Sequence, residues 1–250
     1  MRDYQIELEK RVAFLKSALE KAGATGFVFG NSGGKDSALV GILCQKAAAN
    51  TLGLLLPCTA RRGFEEDRRD ALALSKAFHI QSATIDLTAV KAQFLECLAP
   101  VGPVEGMAAA NINPRLRMAA LYAVAQSRGA LVVGTGNRSE GYMGYFTKWG
   151  DGAYDLDPIA DLTVTEIYEF LRFLGAPEEI IEKAPSAGLF EGQTDEGEMG
   201  VTYAAIDGYL LRGEGTPEDI EKIEGAHRRT QHKRQPPLRY TDEQQEGRPW

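Results

Sequence analysis

Within Ser32-Gly33-Gly34-Lys35-Asp36-Ser37 the chain gathers two glycines, two hydroxyls, one cation and one acid. Gly30 and Asn31 lead into this stretch from an apolar run, Gly26 to Gly30, and a helix-prone segment, Ser37 to Ala49, follows it. A loop between a strand and a helix points unsatisfied backbone N–H groups, and the positive end of the helix dipole, at one spot. The glycines let the backbone approach phosphate oxygens, Ser32 and Ser37 offer hydroxyl donors, and Lys35 adds charge. The residues Gly30, Asn31, Ser32, Gly33, Gly34, Lys35, Asp36 and Ser37 are therefore expected to hold a nucleotide tail. Asp36 would repel phosphates unless a Mg2+ ion stood between them, and a second carboxylate should then be near. Glu140, a short turn beyond the apolar Leu131-Val132-Val133, is the expected partner.

Two other phosphate motifs do not fit. A Walker A loop needs glycine at position 29 and Ser or Thr after Lys35, where the chain has Phe29 and Asp36. Gly134-Thr135-Gly136-Asn137-Arg138-Ser139 lacks the third glycine of the dinucleotide fingerprint.

The elements that must position these residues alternate. Leu8, Val12, Leu15 and Leu19 recur at helical spacing and predict an amphipathic helix ending near Gly23. Strands are expected at 26–30, 52–56, 82–86 and 131–133, with helices at 37–49, 65–78 and 115–127 between them. That order predicts an α/β fold, a Rossmann-like doubly wound parallel sheet with helices on both faces. In such sheets ligands bind beyond the carboxyl ends of the strands, where Asp36 and Glu140 would both lie. From Tyr142 to Leu162 the chain reads as irregular, after which Thr163 and Glu166 form a capping box for a helix ending at Gly175. Ala184 to Gly197 has no periodicity and reads as a functional loop. Thr216-Pro217 opens a last helix, and no repeat or second-domain boundary is visible in residues 1–250.

Composition narrows the class. The 250 residues are 44% hydrophobic and 25% charged, the range of a soluble globular protein. A net charge of −7 argues against a nucleic-acid or acidic-membrane surface, so phosphate chemistry must be local. Cys44, Cys58 and Cys97 lack the spacing of a zinc site or CxxC pair and read as reduced thiols. The first residues mix charge with apolar side chains and contain no secretory apolar stretch, so a cytoplasmic address is expected.

SGGKDS resembles the signature of the ATP-pyrophosphatase superfamily, which cleaves ATP between its α and β phosphates. Six further stretches resemble, in order, ammonia-dependent NAD synthetases. They are Asn111 to Met118, Gly134 to Glu140, Tyr145 to Gly152, Pro185-Ser186-Ala187 with Gly192 to Glu196, and His232-Lys233-Arg234. The resemblance implies amidation of deamido-NAD with ammonia through an acyl-adenylate, with ATP as co-substrate and Mg2+ as cofactor. It implies Asp36, Glu140 and Lys148 as catalytic residues and Asp36 and Glu140 as metal ligands. By the same token Thr135 and Ser186 would contact ATP, while Arg115, Lys148, Asp155, His232 and Lys233 would hold the dinucleotide. A homodimer is also implied, and free ammonia as nitrogen donor, since none of the cysteines matches a glutaminase context.

Three positions depart from the family pattern: Val164 stands where a lysine usually touches ATP, Gly188 where an aspartate is common, and Asn31 where an apolar residue precedes the signature. Trp149 and Tyr145 read as packing residues, His79 as structural, and His227, Arg228, Arg229 and Arg234 as a solvated helix end. Rival readings are an adenylating relative that acts on another acid or thiolates tRNA, and a nucleotide sensor without turnover. The acidic chain disfavours the thiolase, and the paired Asp36 and Glu140 disfavour the sensor.

Overall fold

Alternation along the first strand sets the architecture: Phe27 and Phe29 point into one apolar cluster and Val28 into another, so the strand is buried on both faces. The computed structural model describes residues 2–59, 64–182 and 194–240. The elements run α1 (Tyr4–Ala22), β1 (Phe27–Gly30), α2 (Lys35–Ala47), β2 (Thr51–Leu55), α3 (Phe64–Ala77), β3 (Gln81–Thr84), α4 (Thr88–Leu98), α5 (Gly106–Ala110), α6 (Ile112–Ser127) and β4 (Leu131–Val133). There follow α7 (Arg138–Met143), α8 (Val164–Leu174), α9 (Glu178–Ile181), α10 (Asp195–Met199), α11 (Tyr203–Arg212) and α12 (Pro217–Arg229).

The strands form one parallel sheet, as the βαβ alternation predicts, and their order is β3-β2-β1-β4. On one face Phe27, Phe29 and Val133 pack with Leu15 of α1, Leu39 and Leu43 of α2, and Ile167 and Phe170 of α8. On the other, Val28, Leu52, Leu54 and Val132 meet Leu121, Val124 and Ala125 of α6. A third cluster joins Met143, Val164, Tyr203, Ile206 and Ile223 from α7, α8, α11 and α12. Because α8 supplies both the first and third clusters, the later helices are packed onto the sheet.

Several expectations shift. α2 begins at Lys35 rather than Ser37, because Gly34 takes the extended cap conformation, so Lys35 and Asp36 stand in the first helical turn. The Tyr142–Leu162 stretch is irregular after α7, yet it returns to the sheet. Asp155 N–H donates to Val132 O at 2.9 Å and Gly134 N–H to Leu156 O at 2.8 Å, which gives β4 a short parallel neighbour. α10 begins inside the stretch read as aperiodic and runs two residues past it: Thr194 caps it and acids fill its first turn, in a helix of 5 residues that is too short to show a period. α4, α5, α7 and α11 were not legible as periodic segments. The capping box at Thr163 and the stop at Gly175 are as read, the latter residue being left-handed.

Candidate active site

A cleft of about 1130 Å³ opens at the carboxyl ends of β1, β2 and β4, where the chain leaves β1 on one side for β2 and on the other for β4. Gly30, Asn31, Ser32, Gly34, Lys35, Asp36 and Ser37 line it. Gly33 is turned away: its φ is +76°, and a Cβ there would lie 2.3 Å from the Asp67 carbonyl oxygen of α3. Only glycine lets the loop pass so close to that helix. The hydroxyls knit the turn, with Gly34 N–H donating to Ser32 Oγ at 3.3 Å and Ser37 Oγ to Gly34 O at 3.0 Å.

Asn31 explains itself. Buried to 3% exposure, it donates from Nδ2 to Ser75 Oγ (3.3 Å) and Ala71 O (3.4 Å) of α3 and accepts from Gly33 N–H (3.4 Å). The polar residue thus ties the loop after β1 to α3, which an apolar side chain would not do.

Asp36 sits between two donors. Lys35 Nζ lies 2.7 Å from its Oδ2 and Asn137 Nδ2 lies 3.1 Å from its Oδ1. Asn137 caps α7 in a box with Glu140: its side chain accepts from Glu140 N–H at 2.9 Å, and its own N–H donates to Glu140 Oε2 at 3.2 Å. Burial, reinforced by the Asp36 carboxylate, pushes the Glu140 carboxyl well above its usual range. Burial works against the Lys35 ammonium, but Asp36 and Glu140 outweigh it and raise the lysine. Lys35 also stands 5.5 Å above the Tyr203 ring, and Tyr203 donates its hydroxyl to the buried Asp195 at 3.0 Å. Beneath the Gly134-Thr135-Gly136 turn, Asp157 accepts from Gly136 N–H at 3.1 Å and Ile159 N–H at 3.0 Å, and burial pushes its carboxyl up to about 7.

Of the other expected residues, Thr135, Glu140, Arg115, Lys148, His232 and Lys233 all line the cleft. Lys148 donates to His232 O at 2.7 Å, and Lys233 to Gly144 O at 2.8 Å and Phe146 O at 2.7 Å, so both cations clamp the chain after α12 onto the stretch after α7. Asp155 is not on the cleft: it accepts from Val132 N–H at 2.7 Å and from the Tyr122 hydroxyl at 3.2 Å. Ser186 and Gly188 lie outside the described residues. Val164, buried in the third cluster, brings no charge to the cleft.

Two expectations are corrected. Trp149 is not packed: it is 50% exposed at the cleft, with φ +63° and Lys148 Nζ 5.4 Å from its ring. His227 and Arg234 are not a solvated helix end. The His227 ring stacks on Tyr142 at 4.0 Å, and Arg234 donates to the carbonyls of Gly141, Tyr142 and His227. The residue that sequence reading missed is Asn137, whose Asn-Arg-Ser-Glu spacing is that of a capping box.

The model of the NAD synthase family matches residues 7–237 of this chain. The chain belongs to that family. This NAD synthase-family chain is 46% identical over 238 residues to the NH(3)-dependent NAD(+) synthetase of Carboxydothermus hydrogenoformans, across 94% of this chain and 97% of that protein. It is also similar to the structure of NMN synthetase from Francisella tularensis, with a TM-score of 0.90 and 38% identity, covering 97% of this chain and 100% of that one. The NH3-dependent NAD synthetase of Campylobacter jejuni gives a TM-score of 0.80 at 28% identity, over 96% and 100% of the two chains.

Proposed function

We propose that this chain amidates deamido-NAD with ammonia at the expense of ATP, giving NAD, AMP and pyrophosphate, the last step of NAD biosynthesis. One observation carries the reading: the phosphate loop after β1 and the Asp36–Glu140 pair face one cleft in a chain of the NAD synthase family. A deamido-NAD carboxylate oxygen attacks the α-phosphorus while the bond to the β-phosphate breaks. Ammonia then attacks the acyl carbon, the acyl–oxygen bond breaks, a proton is lost and AMP departs.

Two carboxylates with hard oxygen donors, lining one cleft, fit a Mg2+ ion, which takes one or two protein carboxylates and completes its shell with phosphate oxygens and water. Asp36 and Glu140 would hold it, and bound there it would neutralise charge on the triphosphate. The chain itself does the rest. Loop N–H groups and the Ser32 and Ser37 hydroxyls receive the departing pyrophosphate, and Lys35 supplies a fixed positive charge beside them. Thr135 and Ser186 are assigned to ATP. Arg115, Lys148, His232 and Lys233 are assigned to the acid substrate, with Lys148 also close to the reacting carboxylate.

We read residues 1–250 as one domain, working in the cytoplasm as a homodimer. α4 buries no residue, and Val90 and Phe94, four residues apart on it, are 49% and 44% exposed, an apolar face suited to a second copy. Asp155, outside its own cleft, is then available to a dinucleotide that crosses between copies. No described helix is long and apolar enough to cross a membrane.

A second reading takes nicotinate mononucleotide as the acid, favoured by the close likeness to the Francisella tularensis NMN synthetase. Purified protein with ATP, Mg2+, ammonium and each acid in turn separates the two. NAD, AMP and pyrophosphate formed preferentially from deamido-NAD support the first reading. Preference for the mononucleotide supports the second, and ATP binding without products overturns both.

A further inference from the structure

We propose that Asn137 is a positioning residue that sets Asp36 against Glu140 for the divalent cation; the inference rests on reading these two carboxylates as metal ligands. Asp36 belongs to α2, which follows β1, and Glu140 to α7, which follows β4, so no local geometry fixes one relative to the other. Asn137 fixes both. It is 1% exposed, and three of its polar groups meet the two acids: Oδ1 accepts from Glu140 N–H at 2.9 Å, the backbone N–H donates to Glu140 Oε2 at 3.2 Å, and Nδ2 donates to Asp36 Oδ1 at 3.1 Å.

The amide's orientation follows from its partners. Glu140 N–H can only donate, so the atom facing it is the oxygen, and the nitrogen must then face the Asp36 carboxylate. Lys35, on the other Asp36 oxygen, stands beside it in the first turn of α2 and so ties it to nothing on α7. Asn137 does tie it there, because its other end is locked into the cap of α7. Serine or threonine would cap the helix equally well but would not reach Asp36, and aspartate would cap it while repelling Asp36. Asparagine is the capping side chain that also brings a donor.

Asn137→Ser separates the two tasks, since it keeps a cap and adds no charge. Mg2+ is titrated calorimetrically into full-length protein loaded with the non-cleavable analogue α,β-methylene-ATP. Supporting residues around a metal site change affinity or turnover by about 10–100-fold when removed, and a Mg2+ affinity about tenfold weaker or more is expected here. The thermal transition should stay near wild type, kcat should fall with the KM for the acid unchanged, and added Mg2+ should restore turnover. Wild-type Mg2+ affinity and kcat in Asn137→Ser overturn the inference. Should that variant not fold, Asn137→Thr takes its place with the same criteria. Asp36→Asn distinguishes the premise. If it binds Mg2+ like wild type, the metal reading fails and takes this inference with it; if it loses Mg2+ while Asn137→Ser keeps it, only the inference falls.

Discussion

Lys35 Nζ and Asp36 Oδ2 are 2.7 Å apart although the residues are neighbours in the chain, and the lysine is 6% exposed. A cation is thus built into the loop beside the acids it serves. Lys35→Met should leave Asp36 and Glu140 facing each other uncompensated. Removing one member of a buried pair costs about 3–5 kcal/mol, and about 2 kcal/mol is expected here because Asp36 keeps some solvent. Chemical denaturation without metal should show that loss, and Mg2+ should recover more stability in the variant than in wild type. Pyrophosphate release should slow by about tenfold or more.

Trp149 offers half its surface to the cleft from a left-handed backbone. Trp149→Ala should raise the KM for the acid substrate by about tenfold, the value of about one stacked ring, with a smaller change in kcat. Trp149→Gly should melt no lower than Trp149→Ala, since glycine accepts φ +63° without strain. Equal KM values in wild type and Trp149→Ala would remove the ring from the substrate site.

Asn31→Leu tests the tie between loop and α3. Ser75 and the Gly33 N–H each lose a partner, at a cost of about 1–2 kcal/mol. The KM for ATP should rise more than the KM for the acid if the loop after β1, which this bond supports, holds the triphosphate as proposed. A variant that is as stable as wild type, with unchanged KM for ATP, would show that α3 holds the loop without it.

The buried acids set a pH dependence. Asp157 rises to about 7 in the fold, so between the ordinary carboxylate range and pH 7 the native state binds more protons than the unfolded chain. Stability from this group is therefore greatest on the acid side and declines as pH rises through about 7, and Glu140, also raised, acts in the same direction. Melting temperatures measured from about pH 5 to about pH 8 should fall more steeply in wild type than in Asp157→Asn. Parallel curves would place the pH dependence elsewhere.

What could be read from the chain divides along physical lines. β1, β2 and β4 are short apolar runs bounded by polar turns, and α8 carries its own cap and stop, so local chemistry announces them. The loop after β1 stands out because glycines, hydroxyls and a charge follow an apolar run there, and the structure puts it on the cleft. Asp36 and Glu140 could be paired only through the rule that ligands gather at strand ends. Asn137 escaped notice because its capping signature looks purely local, while its second bond, to Asp36, exists only after β1 and β4 lie side by side. Asp155 was placed with the substrate residues, and its bond to Val132 N–H, on the far side of β4 from the loop, is a consequence of packing that no spacing reveals.

Lys233 and Arg234 fasten the segment after α12 to carbonyls between Gly141 and Phe146, and Lys148 holds its His232 carbonyl, making residues translated after every strand one wall of the cleft. A nascent chain can assemble its whole sheet on the ribosome and still lack a finished binding wall until this segment emerges. For the same reason, a fusion partner joined close behind Pro236, which lines the cleft, would press on the cleft itself.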